Sequence, residues 1–227
     1  MPAPACAPPP WGAIETVLLD MDGTLLDLHF DNTFFRETVP QAMARQRGIG
    51  FAEAREQLHT LYHAVEGTLA WYDLDYWSQQ LEMDVMLLKH EVAHLIRAHP
   101  PTLPFLQALQ RANKPAHLVS NAHLHSLALK LRRTPIGPYF VAVFSSHLCG
   151  FPKENINFWP ILQKEIGFNC ASTVLVDDSE TVLAAAQQFG VRYLYHISAP
   201  SSTQSAQPSN RFASVETVQA LMQGLLA

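Results

Sequence analysis

Positions 17–27, VLLDMDGTLLD, constrain the rest of the chain more than any other stretch. Val17, Leu18 and Leu19 form a short apolar run of the kind that makes a buried strand. The run ends in Asp20 and Asp22, separated by Met21. Side chains two apart on extended backbone point the same way, so both carboxylates can face one spot at the strand's end. Gly23 lets the backbone turn sharply there, and Thr24 adds a hydroxyl and a backbone N–H. Two acids brought together are costly unless a cation or a proton settles them. An all-oxygen site of this kind suits Mg2+. A hairpin built on the Asp-Gly turn is the plain structural alternative, but the residues after Gly23 do not alternate as a returning strand would.

At 227 residues the chain suits one domain with an insertion. Hydrophobic residues make up 48%, enough for a sizeable core. A net charge of -5 argues against a nucleic-acid backbone as partner. No apolar run is long enough to span a bilayer, so no membrane partner is expected. The start, MPAPACAPPPWG, lacks the cationic and apolar regions of a signal peptide, and positions 1–11 read as a disordered lead. Three cysteines, Cys6, Cys149 and Cys170, have no metal-like spacing, and their odd count makes no disulfide framework. A reducing, cytoplasmic setting is expected.

After Asp27 the pattern turns helical. Periodicity and capping residues predict helices over 31–47, 52–70, 73–81 and 84–99, the last stopped by Pro100 and Pro101. Positions 29–99 therefore read as a helical cap. Beyond Pro101, helix and strand alternate: helix 102–112, strand 116–119, helix 124–133, strand 141–145, helix 154–166, strand 173–176, a helix to 189 and strand 191–195. Positions 198–213 read as a loose loop, and Ser214 as the cap of a last helix to 225. Such alternation predicts an α/β fold, a Rossmann-like parallel sheet with helices on both faces. Positions 12–28 and 100–227 would form this core.

Ligand sites in such sheets lie beyond the carboxyl ends of the strands. Asp20, Asp22, Ser120, Asn121, Lys153, Asp177 and Asp178 all fall there. Each has an ordinary use taken alone: Ser120-Asn121 as a turn, Lys153 as a solvated cation, Asp178 as a helix cap. Their shared placement favours one site. Asp20 is then the nucleophile that attacks phosphorus, and Asp22 the acid and base. Attack on an anionic phosphoryl group needs charge neutralisation. Mg2+, held by Asp20, the Asp22 backbone carbonyl and Asp178, and the Lys153 ammonium would supply it. Ser120, Asn121 and the backbone N–H groups after Ser120 would hold phosphoryl oxygens, and Asp177 would orient Lys153 or a metal-bound water.

The segments DMDGT, SN, PK and DD, at 20–24, 120–121, 152–153 and 177–178, resemble the four signatures of the haloacid dehalogenase-type phosphatases. The resemblance runs from position 16 to about 198, cap included. It implies Asp20 as nucleophile, Asp22 as acid/base, Mg2+ as cofactor, Thr24, Ser120 and Lys153 on the phosphate, and Asp178 on the metal. The dehalogenase branch lacks an acid at the Asp22 position, so Asp22 points to phosphate esters. Val182 departs from members with a further acid after the last signature. The stretches LLDMDGTLLDLHFDN, WYDLDYW, LVSNAHLHSLALKL and VDDSETVLAAAQQFGVRY are most similar to the bacterial GMP/IMP nucleotidase branch. That resemblance implies purine nucleoside 5′-monophosphates as substrates. A small sugar-phosphate or phosphoglycolate phosphatase, and a phosphomutase using the same phosphorylated aspartate, are the alternatives.

Tyr62, Trp71, Tyr72, Tyr76 and Trp77 are dense for a short insertion. Packing between cap helices would use most of them, while Trp71, Tyr72 and Tyr76 are the candidates to stack a purine. His90-Glu91-Val92-Ala93-His94 matches the helical zinc-protease pattern H-E-x-x-H, without an obvious third ligand. His123 and His125, just past Ser120, are expected on a solvated loop.

Overall fold

The computed structural model describes residues 7–225. The chain opens with a 3-10 turn (Trp11–Ala13) and strand β1 (Thr16–Leu19). A helical stretch follows: α1 (His29–Thr33), a π-helical turn (Phe34–Thr38), α2 (Val39–Arg47), α3 (Phe51–Val65), α4 (Leu69–Tyr72), α5 (Leu74–Leu81) and α6 (Val85–Glu91). Then come α7 (Thr102–Arg111), β2 (Ala116–Ser120), α8 (Leu124–Arg133), β3 (Ala142–Ser145), α9 (Phe158–Ile166), β4 (Thr173–Asp177), α10 (Glu180–Phe189), β5 (Tyr193–Ile197) and β6 (Ala213–Val215).

The six strands form one sheet in the order β3-β2-β1-β4-β5-β6, and every pairing is parallel. Val17 and Leu19 face a core with Phe105, Leu118, Val174 and Val176. Leu18 points to the other face, toward Val119, Trp159 and Leu175. With both faces covered, the central strands are apolar throughout rather than alternating. The cap helices pack around their own cluster, which includes Phe34, Met43, Leu58, Leu74, Trp77 and Val85. Side-chain caps start the later helices of that insertion. Asp73 accepts from the N–H groups of Asp75 and Tyr76, and Asp84 from that of Leu87.

Several boundaries differ from the sequence expectation. The helix expected over 52–70 breaks after Val65, where Glu66 takes extended ψ and Gly67 a φ of 75°. The helix expected over 84–99 stops at Glu91. The chain must return to the sheet there, and its backbone pairs with the turn after β1: Asp27 N–H donates to Arg97 O (3.0 Å) and His99 N–H to Leu25 O (2.9 Å). The helix expected from 154 begins at Phe158, because residues after Lys153 form a turn. Ser214 lies inside β6 rather than capping a helix, and the last segment is a 3-10 turn (Val218–Met222) capped by Thr217. Of the disordered lead expected over 1–11, positions 1–6 lie outside the described residues. Trp11 belongs to the core: it is buried and donates its indole N–H to Leu221 O at 2.9 Å. Among the described residues no helix is long and apolar enough to cross a membrane.

Trp11 thus ties the start of the described chain to the 3-10 turn near its other end. Trp11→Ala is expected to lower the unfolding free energy by about 3 kcal/mol. A fall in the urea midpoint with unchanged slope would report it; an unchanged midpoint would show that the anchor contributes nothing.

Candidate active site

Strands β1 and β4 lie side by side, and the strand order reverses between them. The crevice beyond their carboxyl ends is where such sheets bind ligands. Asp20 follows β1, with its N–H donating to Val176 O at 3.0 Å, and Asp177 ends β4. Between their side chains stands Lys153, only 2% exposed. Its Nζ lies 2.6 Å from Asp20 Oδ1 and 2.7 Å from Asp177 Oδ2, and it also donates to Val119 O at 3.2 Å. The lysine is fixed at both ends: its N–H donates to Asn121 Oδ1 (2.9 Å), and its carbonyl accepts the Trp159 indole N–H (3.0 Å). Burial alone would lower its pKa, but the Asp177 and Asp20 carboxylates overcome that and raise it. Lys153 is therefore a permanent cation here.

Asp20, Asp177 and Asp178 present carboxylate oxygens within 4.8 Å of one another. One ammonium does not neutralise three carboxylates. Burial pushes Asp20 up to about 6 against the pull of Lys153, and it pushes Asp178 well up, with Asp20 and Asp177 adding to the rise. Asp20 Oδ2 is buried without a hydrogen-bond partner. Gly23, at φ 89°, brings its backbone so close to the Asp178 carboxylate that any Cβ there would collide with it. An unpartnered buried carboxylate oxygen among excess negative charge fits a hard divalent cation.

Asp22 turns elsewhere. Its Oδ1 lies 2.7 Å from Lys130 Nζ, and the same ammonium lies 2.7 Å from Asp31 Oδ2. Lys89 completes the group, 3.0 Å from both Asp31 Oδ1 and Ser126 Oγ. Burial raises Asp22 to about 6 despite Lys130. Burial would raise Asp31 too, but Lys130 and Lys89 hold it at about 2. Lys89, Lys130 and Asp31 were not expected from the sequence. The available signal was a lysine on the apolar face of α8, beside Ser126, Leu127 and Leu129.

These groups line a cavity of roughly 490 Å³. At one end stand Asp20, Asp22, Ser120, Asn121, Lys153, Asp177 and Asp178; the cap supplies Phe35, Tyr62, Trp71, Tyr72 and Trp77. Of the candidate stacking residues, Trp71 and Tyr72 line the cavity and Tyr76 does not; it packs edge-on against Trp77. The Tyr72 hydroxyl donates to Glu154, which also accepts from Asn121 Nδ2 at 2.8 Å. Asn121, expected on the phosphate, thus spends both ends of its amide on Glu154 and the Lys153 backbone. Ser120 lines the cavity, its Oγ accepting from Ala122 N–H at 3.0 Å. Thr24, expected on the phosphate, is fully buried and is not among the residues that line the cavity. Val182 lines the cavity from α10. His123 is buried in the wall rather than solvated, while His125 is exposed. The zinc-protease pattern fails: α6 ends at Glu91, so His90 and His94 do not share a helix, and both are exposed.

Residues 14–190 match the model of the haloacid dehalogenase-like hydrolases. The chain is 39% identical over 216 residues to the GMP/IMP nucleotidase YrfG of Escherichia coli, covering 95% of this chain and 97% of that protein. A phosphatase of Thermococcus onnurineus superposes with a TM-score of 0.76 at 21% identity, over 90% of this chain and 94% of the other. CbbY from Rhodobacter sphaeroides, solved in complex with phosphate, has a TM-score of 0.62 at 15% identity, over 93% and 96%. At such identities these two structures speak for the fold. With four signatures gathered in one crevice and a family match over most of its length, the chain belongs to the haloacid dehalogenase-like hydrolases.

Proposed function

We propose that the chain is a Mg2+-dependent phosphomonoesterase that works through a phosphorylated Asp20 and acts on purine nucleoside 5′-monophosphates. The observation that carries this is the Asp20 carboxylate, pinned through one oxygen by Lys153 and unpartnered at the other, at the foot of an aromatic-walled cavity. The Asp20 oxygen forms a bond to phosphorus as the ester oxygen leaves, and Asp22 gives that oxygen a proton. Water then attacks phosphorus, Asp22 takes its proton, and the Asp20–phosphorus bond breaks to release phosphate. A pKa near 6 lets Asp22 exchange a proton in both directions close to neutral pH. Lys153 steadies negative charge on Asp20 and on the transferring group. Asp20, Asp178 and the Asp22 carbonyl would hold Mg2+, whose charge would offset that of the phosphoryl oxygens.

The substrate class is supported by the nucleotidase relative and by the cavity. Its volume falls in the ~300–1,000 Å³ range of small-molecule sites. Trp71 and Tyr62 meet edge-on at 5.6 Å and form a wall on which a purine can stack. Asn32 and Arg36 stand on the same wall, and Asn32 Nδ2 and the Tyr62 hydroxyl are buried without partners. These are donors suited to the ring nitrogens and carbonyl of a 6-oxopurine.

Asp20→Asn is expected to lower kcat by at least roughly a thousandfold with the fold intact by circular dichroism; near-normal phosphate release would refute the phosphorylated aspartate. Chelation with EDTA should abolish activity, and added Mg2+ should restore it and raise the melting temperature. Activity and melting unchanged by either treatment would remove the cation from the scheme. Trp71→Ala should lower kcat/KM about tenfold or more for IMP and under threefold for ribose 5-phosphate, which has the same leaving oxygen and no base. Equal losses on the two esters would sink base stacking while leaving the phosphatase reading intact.

A further inference from the structure

We propose that Lys130 is a positioning residue: it holds the Asp22 carboxylate where it can give a proton to the leaving oxygen, and Asp31 and Lys89 tie that placement to the cap. The inference rests on the reading of Asp22 as the acid. Asp20 and Asp22 lie two residues apart but are held by different lysines. Lys153, after β3, hydrogen-bonds Asp20 and Asp177, while Lys130, on α8, hydrogen-bonds Asp31 and forms a 2.7 Å ion pair with Asp22 Oδ1, which has no hydrogen-bond partner. No second cation is paired with Asp22 among the described residues. Lys130 has little freedom of its own. It is 2% exposed, bonded to Asp31 Oδ2, and its ammonium sits 5.3 Å from the Phe30 ring centre.

The next link crosses into the cap. Asp31 lies on α1, where the chain leaves the core, and its other oxygen binds Lys89 on α6, the helix from which the chain returns. Lys89 is also 2% exposed, with Phe30, Phe34 and Phe35 ring centres 5.0–5.4 Å from its ammonium, and it donates back to Ser126 on α8. The group holds two positive and two negative charges, so each carboxylate has a cation and each ammonium a carboxylate. Removing a single member leaves an uncompensated buried charge. A network confined to stability would have no reason to end on Asp22. Lys130 could instead bind the phosphoryl group, and then every ester would suffer alike when it is lost.

Leaving-group dependence separates these roles. An alkoxide such as that of ribose 5-phosphate leaves poorly without a proton, whereas p-nitrophenolate leaves well unprotonated. Neither ester carries a purine, and each variant is compared with the native enzyme on the same ester, so that any stacking of the nitrophenyl ring on the unchanged cap aromatics cancels from the ratio. Lys130→Met is expected to lower kcat/KM about a hundredfold for ribose 5-phosphate and less than tenfold for p-nitrophenyl phosphate. Lys130→Met with Asp31→Asn keeps the buried charges balanced and carries the same expectation if the single variant does not fold. Lys89→Met should shift the ratio the same way by a smaller factor. Asp22→Asn sets the ceiling of the selectivity. A selective Asp22→Asn beside a Lys130→Met or balanced double variant that slows both esters equally, or slows neither, overturns the positioning role alone. An Asp22→Asn with no selectivity overturns the acid role of Asp22 and this inference with it.

Discussion

Lys153 makes it possible for Asp20 and Asp177 to share a buried crevice at the ends of two adjacent strands. Without a cation, two carboxylates in that setting would take up protons, and Asp20 would not be a nucleophile. The ammonium needs a rigid mount, because a lysine stem carries much rotational freedom. The Val119 carbonyl on β2, Asn121 just past that strand and Trp159 on α9 supply it. This explains why the loop after β3 is a turn rather than the first turn of a helix. It also explains why Asn121, the apparent phosphate ligand, is committed to backbone and to Glu154.

Two of the polar links between the cap and this floor differ in character. One is the Tyr72–Glu154–Asn121 contact, where a cap hydroxyl reaches a core carboxylate that leads back to Lys153. The other is the Lys89–Asp31–Lys130 group, which leads back to Asp22. Each of the first two acids is thus connected to the cap through a lysine on its own side of the cleft. A cap that seats badly would disturb both links.

The parallel sheet and the convergence of Asp20, Asp22, Ser120, Lys153, Asp177 and Asp178 were legible because the information is local. Apolar runs of four or five residues end in polar pairs, and the topology rule puts those ends together. The cap's existence was legible from uninterrupted helical periodicity. Its inner contacts were not. Lys130 and Asp31 are 99 residues apart and Lys89 and Asp31 are 58 apart, and an ion pair between distant segments leaves no period in either. Strand β6 was missed for another reason. Three residues, Ala213 to Val215, gain their order from pairing with β5, and little in a Ser/Pro-rich neighbourhood marks them. The H-E-x-x-H match misled in the opposite direction, because local spacing said helix and the need to return to the sheet ended it.

The two acids of the first signature share one backbone turn, yet their surroundings differ in the respect that matters. Asp20 faces two further carboxylates and one lysine, an excess of negative charge that a second cation or a proton must relieve. Asp22 faces one carboxylate and two lysines, a neutral group with Asp22 included. A nucleophile would benefit from the first setting, where a bound cation would hold it ionised and aimed. A proton carrier benefits from the second, where its charge changes without a metal bound to the same oxygens. Both carboxylates line one cavity just past the end of β1, and Met21, buried between them, anchors the turn by accepting from the N–H groups of Leu25 and Leu26. Under the proposed mechanism that division of partners, more than the pair of aspartates itself, would allow one short turn to supply both nucleophile and acid.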